Sequence, residues 1–300
     1  MDEVINLTGI TKKYGDFTAV DQLSLSIYQG EIFGLLGPNG SGKTTCVKIM
    51  CGLVPPTLGR ATVLQRDVHR HGEEIRSRLG YMPQRFGLYE DLTVRENLLF
   101  LAGLYGLPNE IARKRVAELT DDLNLGEMQG RLVSTLSAGW KRRLALAAAV
   151  VHQPKLLLLD EPTSGVDPLV RRQFWEYLHR LAQNGTTILI TTHHLDEAEY
   201  CHRVAILHHG RLLACGTPSK LKEAIQGELW EVSTSVWTET YLKIRGRFEH
   251  YLHGKKIRVW LRSGQAIGAL QALLPPDAGL TRIAPELEDV FLHLAGKPNP

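Results

Sequence analysis

GPNGSGKTT, Gly37 to Thr45, fits the pattern G-x-x-x-x-G-K-[ST] and stands where that pattern carries meaning. The apolar run Ile32-Phe33-Gly34-Leu35-Leu36 leads into it, and KTTCVKIMCGL follows as a helix closed by Gly52 and broken at Pro55-Pro56. Strand, turn and helix in that order predict a phosphate-binding loop. Gly37, Gly40 and Gly42 let the chain fold so that successive N–H groups of the loop, which also contains Pro38, Asn39, Ser41 and Thr45, point inward. The helix start adds positive potential for a triphosphate. Lys43 is expected to reach the outer phosphates and Thr44 to ligate Mg²⁺.

Outward from the loop, LLLLDEP reads as a second strand, Leu156 to Leu159, buried on both faces, with Asp160 and Glu161 at its carboxyl end. Adjacent side chains diverge, so the acids can divide the work. Asp160 is expected in the Mg²⁺ shell and Glu161 as the general base that polarises the attacking water. A third buried strand, Thr187 to Thr191, runs into TTHHLDEAE, where alternation lets only one of His193 and His194 face the phosphate site. Neither this pair nor His208-His209 has zinc-ligand spacing. The three strands imply a mostly parallel α/β sheet.

Val94 to Leu104, Pro108 to Asn124 and Trp140 to His152 repeat apolar residues at helical spacing, so a helical subdomain over about 88–150 is expected inside the sheet domain. After Gly216-Thr217-Pro218 the pattern changes. LWEVSTSV and KKIRVWL alternate as strands, whereas AIGALQALL and PELEDVFLHLAG read as helices. We place a linker near Ile225 to Glu228, a nucleotide-binding domain over 1–225 and a small α+β appendage over 226–300.

Composition narrows the function. Basic and acidic residues number 35 and 32, so net charge gives no support for nucleic acid. Cys46, Cys51, Cys201 and Cys215 lack CxxC or zinc spacing, and MDEVINLTGI has no secretory-signal pattern, which predicts a reducing, cytoplasmic setting. The apolar run Leu144 to Val151 is far short of the roughly 20 residues of a spanning helix. Any membrane role is therefore expected to come through a partner.

Together these residues resemble the nucleotide-binding subunit of an ABC transporter, in that family's order and over nearly the whole chain. The resemblance implies a P-loop NTPase core with an N-terminal antiparallel β subdomain, the helical insertion and the appendage. Lys13-Tyr14-Gly15 is similar to the box whose aromatic, Tyr14, stacks on adenine. In Tyr81-Met82-Pro83-Gln84 the glutamine, Gln84, joins the magnesium and water network, and Ser164-Gly165-Val166-Asp167 matches the loop whose Asp167 couples two sites. His193 matches the switch histidine and LSAGW the LSGGQ signature. Taken singly, Tyr14 reads as a turn tyrosine and Gln84 as a polar loop residue; agreement among the boxes makes them site residues.

The signature departs from the family pattern at Ala138 and Trp140, with Ser137 and Gly139 retained. Ser137 reads as the N-cap of a helix beginning near Trp140, with Leu136 as its staple, and that free helix start is also an anion site. In the family it meets the γ-phosphate held by the opposite subunit. Alanine at a left-handed position costs about 1 kcal/mol, whereas losing a phosphate donor costs roughly 3–4 kcal/mol, so hydrolysis is expected to survive. Trp140 either packs on the opposite ribose or faces the helical subdomain. Lys141, Arg142 and Arg143 are expected on a solvated helix face.

The resemblance implies ATP and Mg²⁺ as ligands, a second ATPase subunit, and a separate membrane permease docked along RFGLYEDLTVRENL. PELEDVFLHLAG, YMPQRFGLYEDLTVRENL and TTHHLDEAE are most similar to ABC-2 type exporters. The same family includes ATPases acting on ribosomes or DNA and tandem-cassette proteins, of which this chain would be a fragment. Those carry two cassettes or coiled-coil insertions, which this sequence lacks.

Overall fold

The computed structural model describes residues 2–85, 87–262 and 267–296. Phe86 of the expected docking segment and Ala266 of the AIGALQALL helix lie outside them. The chain divides into two compact units, Met1–Pro218 and Ser219–Pro300. The division falls before the expected boundary at 225, because the helix after Pro218 groups with the second unit.

In the first unit β1 (Glu3–Tyr14) and β2 (Phe17–Tyr28) form a hairpin whose tip pairs Tyr14 with Phe17. β3 (Ile32–Leu36) is buried at every residue and gives way to α1 (Lys43–Met50). β4 (Leu58–Val63) and β5 (Arg66–Asp67) complete an antiparallel sheet, β2-β1-β4-β5, and α2 (Gly72–Arg78) leads into β6 (Leu79–Met82). The helices α3 (Val94–Leu104), α4 (Asn109–Asp122) and α5 (Ala138–Val150) form the insertion ahead of β7 (Leu156–Asp160). Then come α6 (Pro168–Gln183), β8 (Thr187–Thr192), β9 (Arg203–His208) and β10 (Arg211–Gly216), after which α7 (Pro218–Glu223) leads into the second unit.

The second sheet runs β10-β9-β3-β8-β7-β6, parallel from β9 to β6 with β10 antiparallel at the edge. β3, β7 and β8 are buried from end to end, which is why they read as unbroken apolar runs rather than alternating ones. Register places the site. Leu36 lies opposite Thr192 and Asp160 opposite Thr191, so the loops leaving all three strands emerge side by side. One core joins both sheets through α1: Cys46, Val47, Ile49 and Met50 pack with Ile10, Leu23, Phe33, Leu35, Leu158 and Leu189. That burial anchors the start of α1 against the sheet.

The insertion is held at its entrance. Thr93 and Glu96 make a reciprocal capping box on α3, Glu96 N–H donating to Thr93 Oγ1 at 3.2 Å and Thr93 N–H to Glu96 Oε2 at 2.8 Å. The fully buried Asn97 exchanges hydrogen bonds with the Tyr89 backbone, both 2.9 Å, and so fixes the chain beyond Gln84.

The second unit contains β11 (Glu228–Ser233), α8 (Trp237–Ile244), β12 (Glu249–His253), β13 (Lys256–Leu261), α9 (Ile267–Gln271), β14 (Gly279–Ile283) and α10 (Leu287–Ala295). Its antiparallel sheet runs β12-β13-β11-β14 over a core of Val232, Ile244, Ile257, Val259, Leu261 and Leu270. The buried Arg258 reaches Asp289 at 2.8 Å and Glu286 at 3.0 Å, tying β13 to the first turn of α10.

Candidate active site

The glycine loop between β3 and α1 is shaped by contact as much as by flexibility. A Cβ on Gly37 would lie 2.3 Å from the Leu207 carbonyl oxygen, and one on Gly42, whose φ is 102°, would lie 2.5 Å from that of Ala19. Lys43 folds back over this loop, donating to the Gly37 carbonyl at 2.7 Å and the Pro38 carbonyl at 3.1 Å, and stands 3.5 Å from Glu161 Oε1. Burial depresses the Lys43 pKa, with Glu161 and Asp160 opposing the shift. A cation so placed can meet incoming phosphate oxygens with little water to displace.

Around it the acids converge. Thr44 Oγ1 donates to Asp160 Oδ1 at 3.2 Å, and Thr191 Oγ1 donates to the same oxygen at 2.6 Å. Asp160 Oδ2 and Ser41 Oγ are buried without hydrogen-bond partners. Orphaned hard oxygens beside Thr44 suit Mg²⁺, which keeps water and phosphate ligands and needs few from the protein. Among the described residues no group of three His, Cys, Asp or Glu could hold a metal unaided. The residues therefore fit an ion that arrives with a phosphate ligand.

Glu161 collects the rest. Gln84 Nε2 donates to Glu161 Oε2 at 3.3 Å, and His193 Nδ1 stands 3.3 Å from the same oxygen. His193, rather than His194, is the histidine turned to the carboxylate. The Glu161 backbone has φ 47°, left-handed for a side chain with a Cβ, and is held there by its N–H donating to Thr191 Oγ1 at 2.9 Å. Asp167 caps α6, accepting from the N–H groups of Leu169 and Val170 at 3.0 Å each.

The cleft beside the loop measures about 280 Å³ and is walled by Asn39, Gly40, Lys43, Thr44 and Thr45, with Gln84 and Glu161 opposite. A larger cavity, about 620 Å³, lies at the amino ends of β7 and β8 beside Pro154 and Gly185. Size does not select the site; convergent polar groups do. Tyr14 is not among the residues that wall the cleft, and its ring sits 5.1 Å from the Lys12 ammonium. Phe17, its cross-strand partner and 64% exposed, does wall it. Sequence alone offered Tyr14 as a turn aromatic; the walls of the cleft show that the Phe17 ring borders the loop.

The signature segment corrects two expectations. α5 begins at Ala138, not near Trp140, and Ser137 occupies the N-cap with extended backbone but makes no side-chain capping bond. Ala138 is helical, so no left-handed penalty arises, and alanine there is a better helix former than glycine by roughly 1 kcal/mol. Ser137 and Ala138 are exposed, Gly139 and Trp140 half-buried, and the Arg143 guanidinium covers the Trp140 ring at 4.9 Å. The three cations are not a solvated face. Arg142 is buried, donating to the carbonyls of Gln84 and Ser164 at 3.4 Å each, and burial lowers its pKa against the pull of Glu161. Arg143 donates to Gln173 at 2.7 Å, while Lys141 pairs with Glu90 at 2.7 Å. Carbonyls and side chains distant in sequence supply these partners, which is why local charge patterning misread them.

The chain is similar to proteins of known family. The family profile described as ABC transporter matches residues 20–164. The Nod factor export ATP-binding protein I of Sinorhizobium fredii is 38% identical over 309 residues, covering 99% of this chain and 87% of that protein. The chain belongs to the ABC transporter ATP-binding family. The probable multidrug ABC transporter ATP-binding protein YbhF of Escherichia coli is 46% identical over 221 residues, covering 74% of this chain and 38% of YbhF, so the matched region spans well under half of that relative. A dimeric ATP-binding cassette in a post-hydrolysis state bound to ADP and Pi superposes with TM-score 0.67 at 28% identity, covering 71% of this chain and 98% of that one. Among the described residues no helix of this ABC protein is long and apolar enough to cross a membrane.

Proposed function

We propose that the chain is the ATP-hydrolysing subunit of an ABC-2 type exporter, acting as one of two cassettes beneath a separate permease. The observation that carries the reading is the convergence of Lys43, Thr44, Gln84, Asp160, Glu161 and His193 on one cleft at the carboxyl ends of β3, β7 and β8. The name Nod factor export ATP-binding protein I among the relatives supports the direction of transport. Thr44, Asp160 and Gln84 would hold Mg²⁺, which when bound neutralises charge on the outer phosphates.

The loop N–H groups and Lys43 orient the triphosphate. Glu161 takes a proton from water as its oxygen bonds to the γ-phosphorus and the bond to the β–γ bridging oxygen breaks. His193 steadies the γ-phosphate, and Gln84 holds both the water and the carboxylate. Ser137 and the first N–H groups of α5 close the site of a second subunit, with Asp167 linking the two sites. Membrane association then comes through the permease, docked on the segment between Gln84 and Leu98.

Phe17 supplies the aromatic face for the base, alone or with Tyr14. Phe17→Ala is expected to raise KM for ATP about tenfold with kcat nearly unchanged, as for loss of one base–aromatic stack; an unchanged KM would return that role to Tyr14.

Two measurements test the function. Phosphate release from ATP should depend on Mg²⁺ and vanish with a chelator. The tagged chain, recovered from detergent-solubilised membranes, should bring a polytopic membrane protein with it. Recovery of ribosomes, or no ATP turnover, would overturn the reading.

A further inference from the structure

We propose that Glu197 is a positioning residue for hydrolysis, bracing the loop that carries Glu161 against the loop that carries His193. The assignment rests on the hydrolytic reading of the cleft. Glu197 has no solvent exposure, yet its carboxylate lies between the two loops rather than in the cleft. Thr163 Oγ1, two residues beyond Glu161, donates to Glu197 Oε1 at 2.5 Å. Thr192 Oγ1, immediately before His193, donates to Oε2 at 2.7 Å. Arg171 of α6 places Nε 3.4 Å from Oε1. The two threonines are themselves buried.

The brace closes on itself. Thr192 Oγ1 also accepts from the His194 N–H at 2.9 Å, and Glu197 N–H donates to the His194 carbonyl at 3.2 Å, so His193 is flanked on one side by the carboxylate-bound Thr192 and on the other by a bond from the Glu197 backbone. A buried carboxylate is tolerated only with its oxygens satisfied, and here both lone-pair sets are taken by groups from different loops. Moving either loop alone would strand a buried charge. The 3.3 Å approach of His193 to Glu161 is thereby set by a residue that touches neither. Placement errors near 1 Å can cost a hundredfold in rate, which gives such a brace its leverage.

Glu197→Gln keeps the shape but turns one acceptor oxygen into an amide donor, so one of the two threonine bonds is reversed or lost and the pairing with Arg171 weakens. In the full chain kcat for Mg²⁺-ATP hydrolysis is expected to fall about 10- to 100-fold, with KM and the affinity for a fluorescent ATP analogue within about twofold. In a His193→Ala background the same change should add less than about threefold, because the effect passes through His193. Thr192→Ser should retain most of the rate and Thr192→Val should not, which tests the brace should the glutamine variant fail to fold. Wild-type kcat in Glu197→Gln, independent multiplication of its effect with His193→Ala, or equal loss of turnover and nucleotide affinity would overturn the proposal. A wild-type chain that binds but never hydrolyses ATP would overturn the reading of the cleft and this assignment with it.

Discussion

Glu161→Gln is expected to lower kcat about 10²- to 10⁴-fold while ATP continues to bind, and to leave two chains locked together around it. The size of the effect is that of losing a positioned general base. Glutamine is isosteric, so Gln84 and His193, each 3.3 Å from Glu161 Oε2, keep a polar partner. The amide cannot accept the water's proton. Lys43 meanwhile loses the carboxylate 3.5 Å away and turns more of its charge to phosphate. Binding therefore holds or tightens as turnover stops. Size-exclusion chromatography with saturating Mg²⁺-ATP should show a dimer for the variant and an exchanging mixture for the wild type. A variant that stays monomeric, or that hydrolyses at the native rate, would sink the assignment.

The second large effect is expected at the helix start. Ser137→Arg should abolish hydrolysis while a single chain binds ATP nearly as before. Ser137 is exposed at the N-cap of α5, and the first N–H groups of a helix have no partner within it. Each donor lost to a transition-state oxyanion costs on the order of 10²- to 10³-fold. An arginine here fills the space that a second subunit's phosphate must enter and adds a cation at the positive end of the helix. The chain's own loop, beginning at Gly37, is untouched. Filter binding of labelled ATP and phosphate release, measured on the same preparation, separate the two effects; retained turnover would remove α5 from the catalytic unit.

Legibility followed burial. β3 was readable to the residue and β7 and β8 to within one, because strands covered on both faces are apolar throughout. α3 was equally clear from its spacing. β12 and β14 were not seen: they are edge strands, and both alternate weakly, with exposed and half-buried residues mixed along them. The candidate site was legible where one loop supplies it, as from Gly37 to Thr45. It was illegible where assembly supplies it. Arg142 owes its position to the carbonyls of Gln84 and Ser164, and Glu197 to threonines on two separate loops, and no local pattern encodes those.

The left-handed φ of 47° at Glu161 sets robustness and turnover against each other at a single residue. A glycine would sit there free of a steric penalty of roughly 1–2 kcal/mol, and asparagine or aspartate would suit the backbone better than glutamate does. Selection for a sturdier fold alone would drift toward those residues. A long carboxylate kept on so unwelcoming a backbone marks the position as one where stability has been surrendered for reach.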